Sequence, residues 1–175
     1  MKKYFSLLFL SMFALILVNC SDDDNDNYVD TDTIAQVIDI RENFVNDSGA
    51  NQDYLYGILK TFTQPLYNTD VVLIYRQDTS SGTAVWKILP KTYYFSGGGA
   101  LDYHFDFTVN DVQIYADANF NMTAESTAFK NQYLNNQVFR VVLVPASGKN
   151  TNVKYEDYES VIKHYNIDDS NVPVL

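Results

Sequence analysis

Leu101-Asp102-Tyr103-His104-Phe105-Asp106-Phe107-Thr108-Val109 decides how this chain folds. Its odd positions are apolar and its even positions polar. A period of two puts one set of side chains against a core and the other in water, so the run reads as a half-buried β-strand. Gly97-Gly98-Gly99 precedes it as a turn. Asn110-Asp111 reads as a two-residue connection to Val112-Gln113-Ile114-Tyr115-Ala116, which alternates in the same way and completes a hairpin.

The same period extends in both directions. Residues 71–75 and 138–144 are denser apolar runs rich in β-branched side chains, as central strands covered on both faces require. Further strands are expected over 34–44, 54–62, 84–89 and 92–95. The last two are separated by Pro90, which has no N–H to give to a ladder. About eight short strands with frequent turn signals and no alternation of strand with helix predict an all-β antiparallel sandwich, immunoglobulin-like in general architecture. One amphipathic helix is expected at the C-terminal end, over 155–165. Tyr155, Tyr158, Ile162 and Tyr165 share a face, acidic residues crowd its start, and Lys163 and His164 close it, an order that suits the helix dipole. Residues 123–136 read as a loop with a helical turn.

Three segments together carry a resemblance. Val85-Trp86-Lys87-Ile88-Leu89-Pro90-Lys91-Thr92-Tyr93-Tyr94-Phe95, the alternating run from Leu101, and Asn135-Asn136-Gln137-Val138-Phe139-Arg140-Val141-Val142-Leu143-Val144-Pro145 resemble a family of uncharacterised flavobacterial lipoproteins often labelled collagen-like. The likeness spans roughly residues 34–175. The label comes from members with Gly-X-Y repeats. Here no glycine precedes Gly49, so a triple-helical stalk is excluded. The resemblance implies lineage, location and fold, and brings no catalytic residues with it.

The N-terminal sequence agrees on location. Met1-Lys2-Lys3 is a positive start, residues 4–18 are an apolar stretch of 15, and Leu17-Val18-Asn19-Cys20 resembles a lipobox, with Asn19 where a smaller residue is usual. The stretch is shorter than the roughly 20 residues a membrane-spanning helix needs, so it reads as a lipoprotein signal peptide over 1–19, with Cys20 acylated as the new N-terminus. Residues 20–33 form the lipidated cysteine and an acidic tether. Ser21, Asp22, Asp23 and Asp24 look like the export signal that sends Bacteroidota lipoproteins to the cell exterior, and Asp32-Thr33-Ile34 resembles the short O-glycosylation acceptor pattern of that group, with Thr33 as acceptor. The acidic run lacks the glycine and the closing glutamate of a calcium loop. Tether residues 21–33 reach at most about 45 Å, which keeps the following domain, 34–175, near its membrane.

Charge and composition then exclude partners. Loss of Lys2 and Lys3 leaves 10 basic against 22 acidic residues, a net charge of -12, and the remaining cations are scattered singly. Nucleic-acid binding needs a basic patch and is not expected. With its single cysteine given to lipid, the chain forms no internal disulfide. Candidate chemistry is thin. Asp102, His104 and Asp106 share a strand face, but successive residues there stand about 7 Å apart, and a polar outer face is the ordinary reading. There is no nucleophile elbow, His164 falls on a surface helix, and Gly97–Gly99 lacks the lysine and helix of a phosphate loop. Arg140 interrupts an apolar run and reads either as a buried anchor for a carboxylate or as an outward residue. No cofactor or metal is expected.

Aromatics are in surplus: 13 Tyr, 8 Phe and 1 Trp remain after residue 19. Trp86, Tyr94, Tyr103, Phe105 and Phe107 are expected in the core, which leaves Tyr67, Tyr93 and Tyr133 for any binding platform. The expected function is a non-catalytic, surface-exposed outer-membrane lipoprotein acting as a structural or protein-interaction module. The alternatives are a glycan-binding accessory lipoprotein and a small carboxylate-dependent hydrolase.

Overall fold

The computed structural model describes residues 35–46, 55–80, 82–145 and 153–175. The expected signal peptide (1–19), the expected lipidation site Cys20, the expected export-signal residues Ser21, Asp22, Asp23 and Asp24, and the expected acceptor Thr33 lie outside the described residues. Nine strands are described: β1 (Gln36–Glu42), β2 (Val45–Asn46), β3 (Leu55–Thr61), β4 (Val71–Ser80), β5 (Thr83–Ile88), β6 (Lys91–Tyr94), β7 (Ala100–Phe107), β8 (Asp111–Ala118) and β9 (Gln137–Val144). Two helices accompany them, α1 (Thr127–Tyr133) and α2 (Tyr158–Tyr165).

Every strand pair is antiparallel, and the strands form two sheets. Sheet A runs β1-β9-β4-β5, and sheet B runs β2-β3-β8-β7-β6. The general architecture is the expected two-sheet sandwich, with a strand order of its own: the first strand pairs with the last, whereas an immunoglobulin domain sets its first strand beside its second. Ile40, Ile74, Phe139 and Val141 from sheet A meet Ile58, Leu101, Tyr103, Val112, Ile114 and Ala116 from sheet B in one core. The other side of sheet A is covered too: Val37, Leu73, Tyr75, Val142 and Val144 pack with Tyr158 and Val161 of α2. This double burial is why β4 and β9 lack clean alternation, as their sequences required.

The chain closes one edge of sheet A with its own C-terminal residues. Asp39 N–H donates to the Pro173 carbonyl at 2.8 Å, and Leu175 N–H donates to the Asp39 carbonyl at 2.9 Å, a single parallel bridge between Asp39 and Val174. Helix α2 ends in a left-handed cap at Asn166, where φ is 51°, and the cap N–H faces the Ile162 and Lys163 carbonyls.

Several expectations shift in detail. The β7–β8 connection turns on Val109-Asn110, one residue earlier than read from sequence. Phe107 pairs with Val112, and Thr108 N–H donates to the Asp111 carbonyl at 2.9 Å, so Asp111 already belongs to the ladder. Thr108 Oγ1 holds that turn by donating to Asp111 Oδ1 at 2.7 Å. Phe107, expected in the core, is 44% exposed because it is the last pair before the turn. The glycine turn forms between β6 and β7, with Gly97 and Gly98 at φ near +86° and +85°, a backbone shape that only glycine adopts freely. Residues 127–133 make a two-turn helix where a single turn was expected, capped by Ser126 Oγ accepting from Phe129 N–H at 3.2 Å. Helix α2 begins three residues later than expected, and its buried face is centred on Tyr158 and Val161.

Candidate functional site: an open sheet face and a groove beside β1

Strand alternation assigns the outer face of sheet B. Thr92 and Tyr94 of β6, Asp102, His104 and Asp106 of β7, Gln113, Tyr115 and Asp117 of β8, Leu59 of β3 and Val45 of β2 share it through their register. While α2 covers sheet A, this second face carries exposed side chains: Tyr94 is 81% exposed, Val45 69% and Leu59 60%. Tyr94 was expected in the core. It lies on β6, an edge strand of sheet B, and points away from the sandwich.

The Asp102, His104 and Asp106 trio stays on that face without converging. Asp102 accepts from Thr92 Oγ1, Asp106 accepts from the Tyr115 hydroxyl at 3.0 Å, and His104 stacks on the Tyr115 ring at 4.9 Å between centroids. Each carboxylate turns to a cross-strand neighbour. Among the described residues no three His, Cys, Asp or Glu side chains are placed to hold a metal ion. Asp102 and Asp117 are directly paired across β7 and β8, on an exposed sheet surface.

Buried charge marks two further clusters, one on each side of sheet A. Arg140 resolves as an inward anchor whose carboxylate is internal. Its Nε donates to Asp39 Oδ1 at 2.7 Å and its Nη2 to Asp39 Oδ2 at 3.1 Å. Its Nη1 donates to the Tyr158 hydroxyl at 2.7 Å and to Asp169 at 3.1 Å, and the guanidinium lies 4.4 Å from the Trp86 ring centroid. Burial pulls the Arg140 pKa down, but the hydrogen bonds to Asp39 and Tyr158 outweigh it and hold the group charged. This cluster ties β1, β9, α2 and the C-terminal segment together.

Arg76 was not singled out from the sequence, although the parity of Val72 and Ile74 points it into the sandwich. Its Nη2 donates to Gln137 Oε1 at 2.6 Å and to the Gln132 carbonyl at 2.9 Å, and its Nη1 donates to the Tyr93 hydroxyl at 2.9 Å. The guanidinium sits 4.8 Å from the Tyr103 centroid, 5.2 Å from that of Tyr93 and 5.9 Å from that of Tyr133. Tyr93 passes the contact on by donating to Asp78 at 2.8 Å. Burial pushes the Tyr93 hydroxyl up to about 12 despite the nearby cation, and raises Tyr103 and Tyr133 as well. Tyr93 and Tyr133, expected to be free for ligands, are therefore committed to holding Arg76. No buried side-chain nitrogen or oxygen among the described residues lacks a partner, and the chain's own groups engage both guanidinium groups.

Of the tyrosines assigned to a platform, Tyr67 remains accessible, at 61% exposure. It stands on the rim of a groove of about 550 Å³ between the start of β1 and the β3–β4 connection. Gln36, Val37, Phe62, Gln64, Asp70 and Pro173 are among its walls. The connection is fixed from behind: Phe62 N–H donates to the Asn110 carbonyl and Leu66 N–H to the Val109 carbonyl, both at 2.7 Å. Asp70 Oδ2 accepts from Tyr67 N–H at 3.0 Å, and among the described residues it is the single acidic side chain in the lining. His164 is far simpler, an exposed residue of α2 packed edge-on against Tyr165. Comparison with family models, curated proteins and solved structures finds no match to the chain.

Proposed function

We propose that the chain is a lipid-anchored lipoprotein of the outer membrane, held through Cys20 and facing the cell exterior, whose sandwich acts as a non-catalytic structural or protein-interaction module. The lipobox and acidic run support the location. The uncovered face of sheet B carries the functional part of the reading. A sheet face that a monomer leaves open, with Val45, Leu59 and Tyr94 exposed among Asp102, Asp106 and Asp117, has the mixed apolar and polar character of a protein contact surface.

The test is site-specific photo-crosslinking on intact cells, with the reactive side chain at Leu59 or Tyr94 and, as control, at Lys163 on the exposed side of α2. A discrete product from the first two positions and none from the third supports the reading. Equal products from all three, or none from any, overturn it. Loss of palmitate labelling in Cys20→Ala tests the anchor separately.

A glycan-binding reading draws on the same face. The His104–Tyr115 stack and Tyr94 offer aromatic surfaces beside hydroxyl and carboxylate groups on Thr92, Asp102 and Asp106, a combination suited to stacking on sugar rings and bonding their hydroxyls. Binding on a glycan array that is lost in Tyr94→Ala would select this reading over a protein partner.

A further inference from the structure

We propose that the groove beside β1 is a strand-addition site for an extended, basic segment of a partner protein, independent of the open face of sheet B. Asp39 spends its N–H and carbonyl on the C-terminal residues, so it cannot exchange them with Arg140, its neighbour on β9. The bonds from β1 to β9 therefore run through Gln36, Ile38, Ile40 and Glu42, and Val37 directs its N–H and carbonyl to the same outer edge as Asp39.

A parallel strand continuing from Val174 would serve Val37 next, through the backbone nitrogen of residue 173. That residue is Pro173, which has no N–H. The chain's own strand addition stops after one bridge, and among the described residues no backbone group pairs with Val37 on that side. Val37 is only 8% exposed, so its donor and acceptor sit at a poorly hydrated edge and gain from being paired.

The groove is built around this gap. Gln36, Val37 and Ile38 form one wall and residues 62–67 the other, with Pro173 and Pro145 also contributing to the lining. Its volume of about 550 Å³ suits a short extended segment. The side-chain amides of Gln36 and Gln64 make no hydrogen bond to the described residues and can take up the backbone of an added strand, while Phe62, Leu66 and Tyr67 receive its alternate side chains. Among the described residues Asp70 supplies the only charge of the lining, and the chain as a whole is strongly acidic, so a basic segment is favoured and an acidic one repelled. The occupant already bridged to this edge, the chain's own C-terminal segment, shows that the edge accepts a parallel strand.

The test uses the full lipidated chain in detergent micelles and three fluorescent peptides of about nine residues. The first alternates lysine and valine, the second replaces lysine by glutamate, and the third is the lysine peptide N-methylated at alternate backbone nitrogens. The lysine peptide is expected to bind and to slow amide exchange at Val37, with the other two at least about tenfold weaker by anisotropy. Asp70→Lys is expected to reverse the order of the two charged peptides, and Leu59→Ser with Tyr94→Ser to leave binding unchanged. Equal binding of all three peptides, binding that leaves Val37 exchange unaltered, or no binding at millimolar concentration overturns the proposal. The N-methyl comparison uses the unmodified protein, so it stands even if a variant fails to fold.

Discussion

Replacing Asp39 by alanine tests the Arg140 cluster most directly. The carboxylate is 1% exposed and takes two charge-assisted hydrogen bonds from Arg140, at 2.7 and 3.1 Å. Breaking a buried pair by removing one partner costs about 3–5 kcal/mol, because the remaining charge is left without compensation. Arg140 keeps Asp169 at 3.1 Å and the Tyr158 hydroxyl at 2.7 Å, which places the expected loss at the low end, about 3 kcal/mol. The backbone bonds of residue 39 to the C-terminal segment survive the change. For a chain of this size, about 3 kcal/mol lowers Tm by roughly 10 °C. Circular dichroism melts, with urea unfolding at constant m, measure it. The partner substitution Arg140→Met completes a cycle, in which the double variant should be more stable than the summed single losses by about 2 kcal/mol. A loss below about 1 kcal/mol for Asp39→Ala, or simple additivity in the cycle, would refute the assignment of this pair as a buried tie.

Alkaline stability follows from the buried tyrosines. An unfolded tyrosine ionises near 10, whereas Tyr93 holds its proton up to about 12 and burial raises Tyr75, Tyr103 and Tyr158 further. Above the unfolded value the unfolded state binds fewer protons than the native state, so the tyrosines' contribution to stability should be constant below about pH 10 and fall steadily to about 12 and beyond. A Tm that does not drop across that window would contradict the burial. Ser126→Ala removes the cap of α1 and should cost about 1 kcal/mol in urea titration, with Ser126→Asp recovering most of it. Phe139→Ala empties a fully buried position between Phe44 and Tyr103 and should cost about 3–5 kcal/mol. At Asn136, where φ is 50°, valine should cost about 1–2 kcal/mol and glycine almost nothing, as read from the same titration.

Period carried most of the fold. Residues 101–107 announce their strand because one face is wet and the other dry, and β4 and β9 announce theirs because both faces are covered. Strand pairing was not legible, since nothing in residues 36–42 states that they meet 137–143. The same blindness hid the roles of single residues. Arg140 offered two readings until its register opposite Asp39 was known, and Tyr93 and Tyr94 exchanged expectations because neighbouring residues on a strand face opposite ways and the facing of a short edge strand is weakly encoded. Arg76 escaped notice because a cation at the end of an apolar run looks like the strand's exit into water. The groove could not be foreseen at all: its walls come from β1, the β3–β4 connection and the C-terminal residues, and Pro173 gains meaning only from the strand it lies beside.

The pairing of the first strand with the last has a temporal consequence. Gln36 waits for Leu143 and Asp39 for Val174, so β1 cannot take its place in sheet A until more than a hundred further residues have been synthesised. Contacts of such long sequence separation close slowly. A product that ends before residue 137 lacks the partner of its own first strand, so its residues 36–42 are left as an unpaired edge open to another chain.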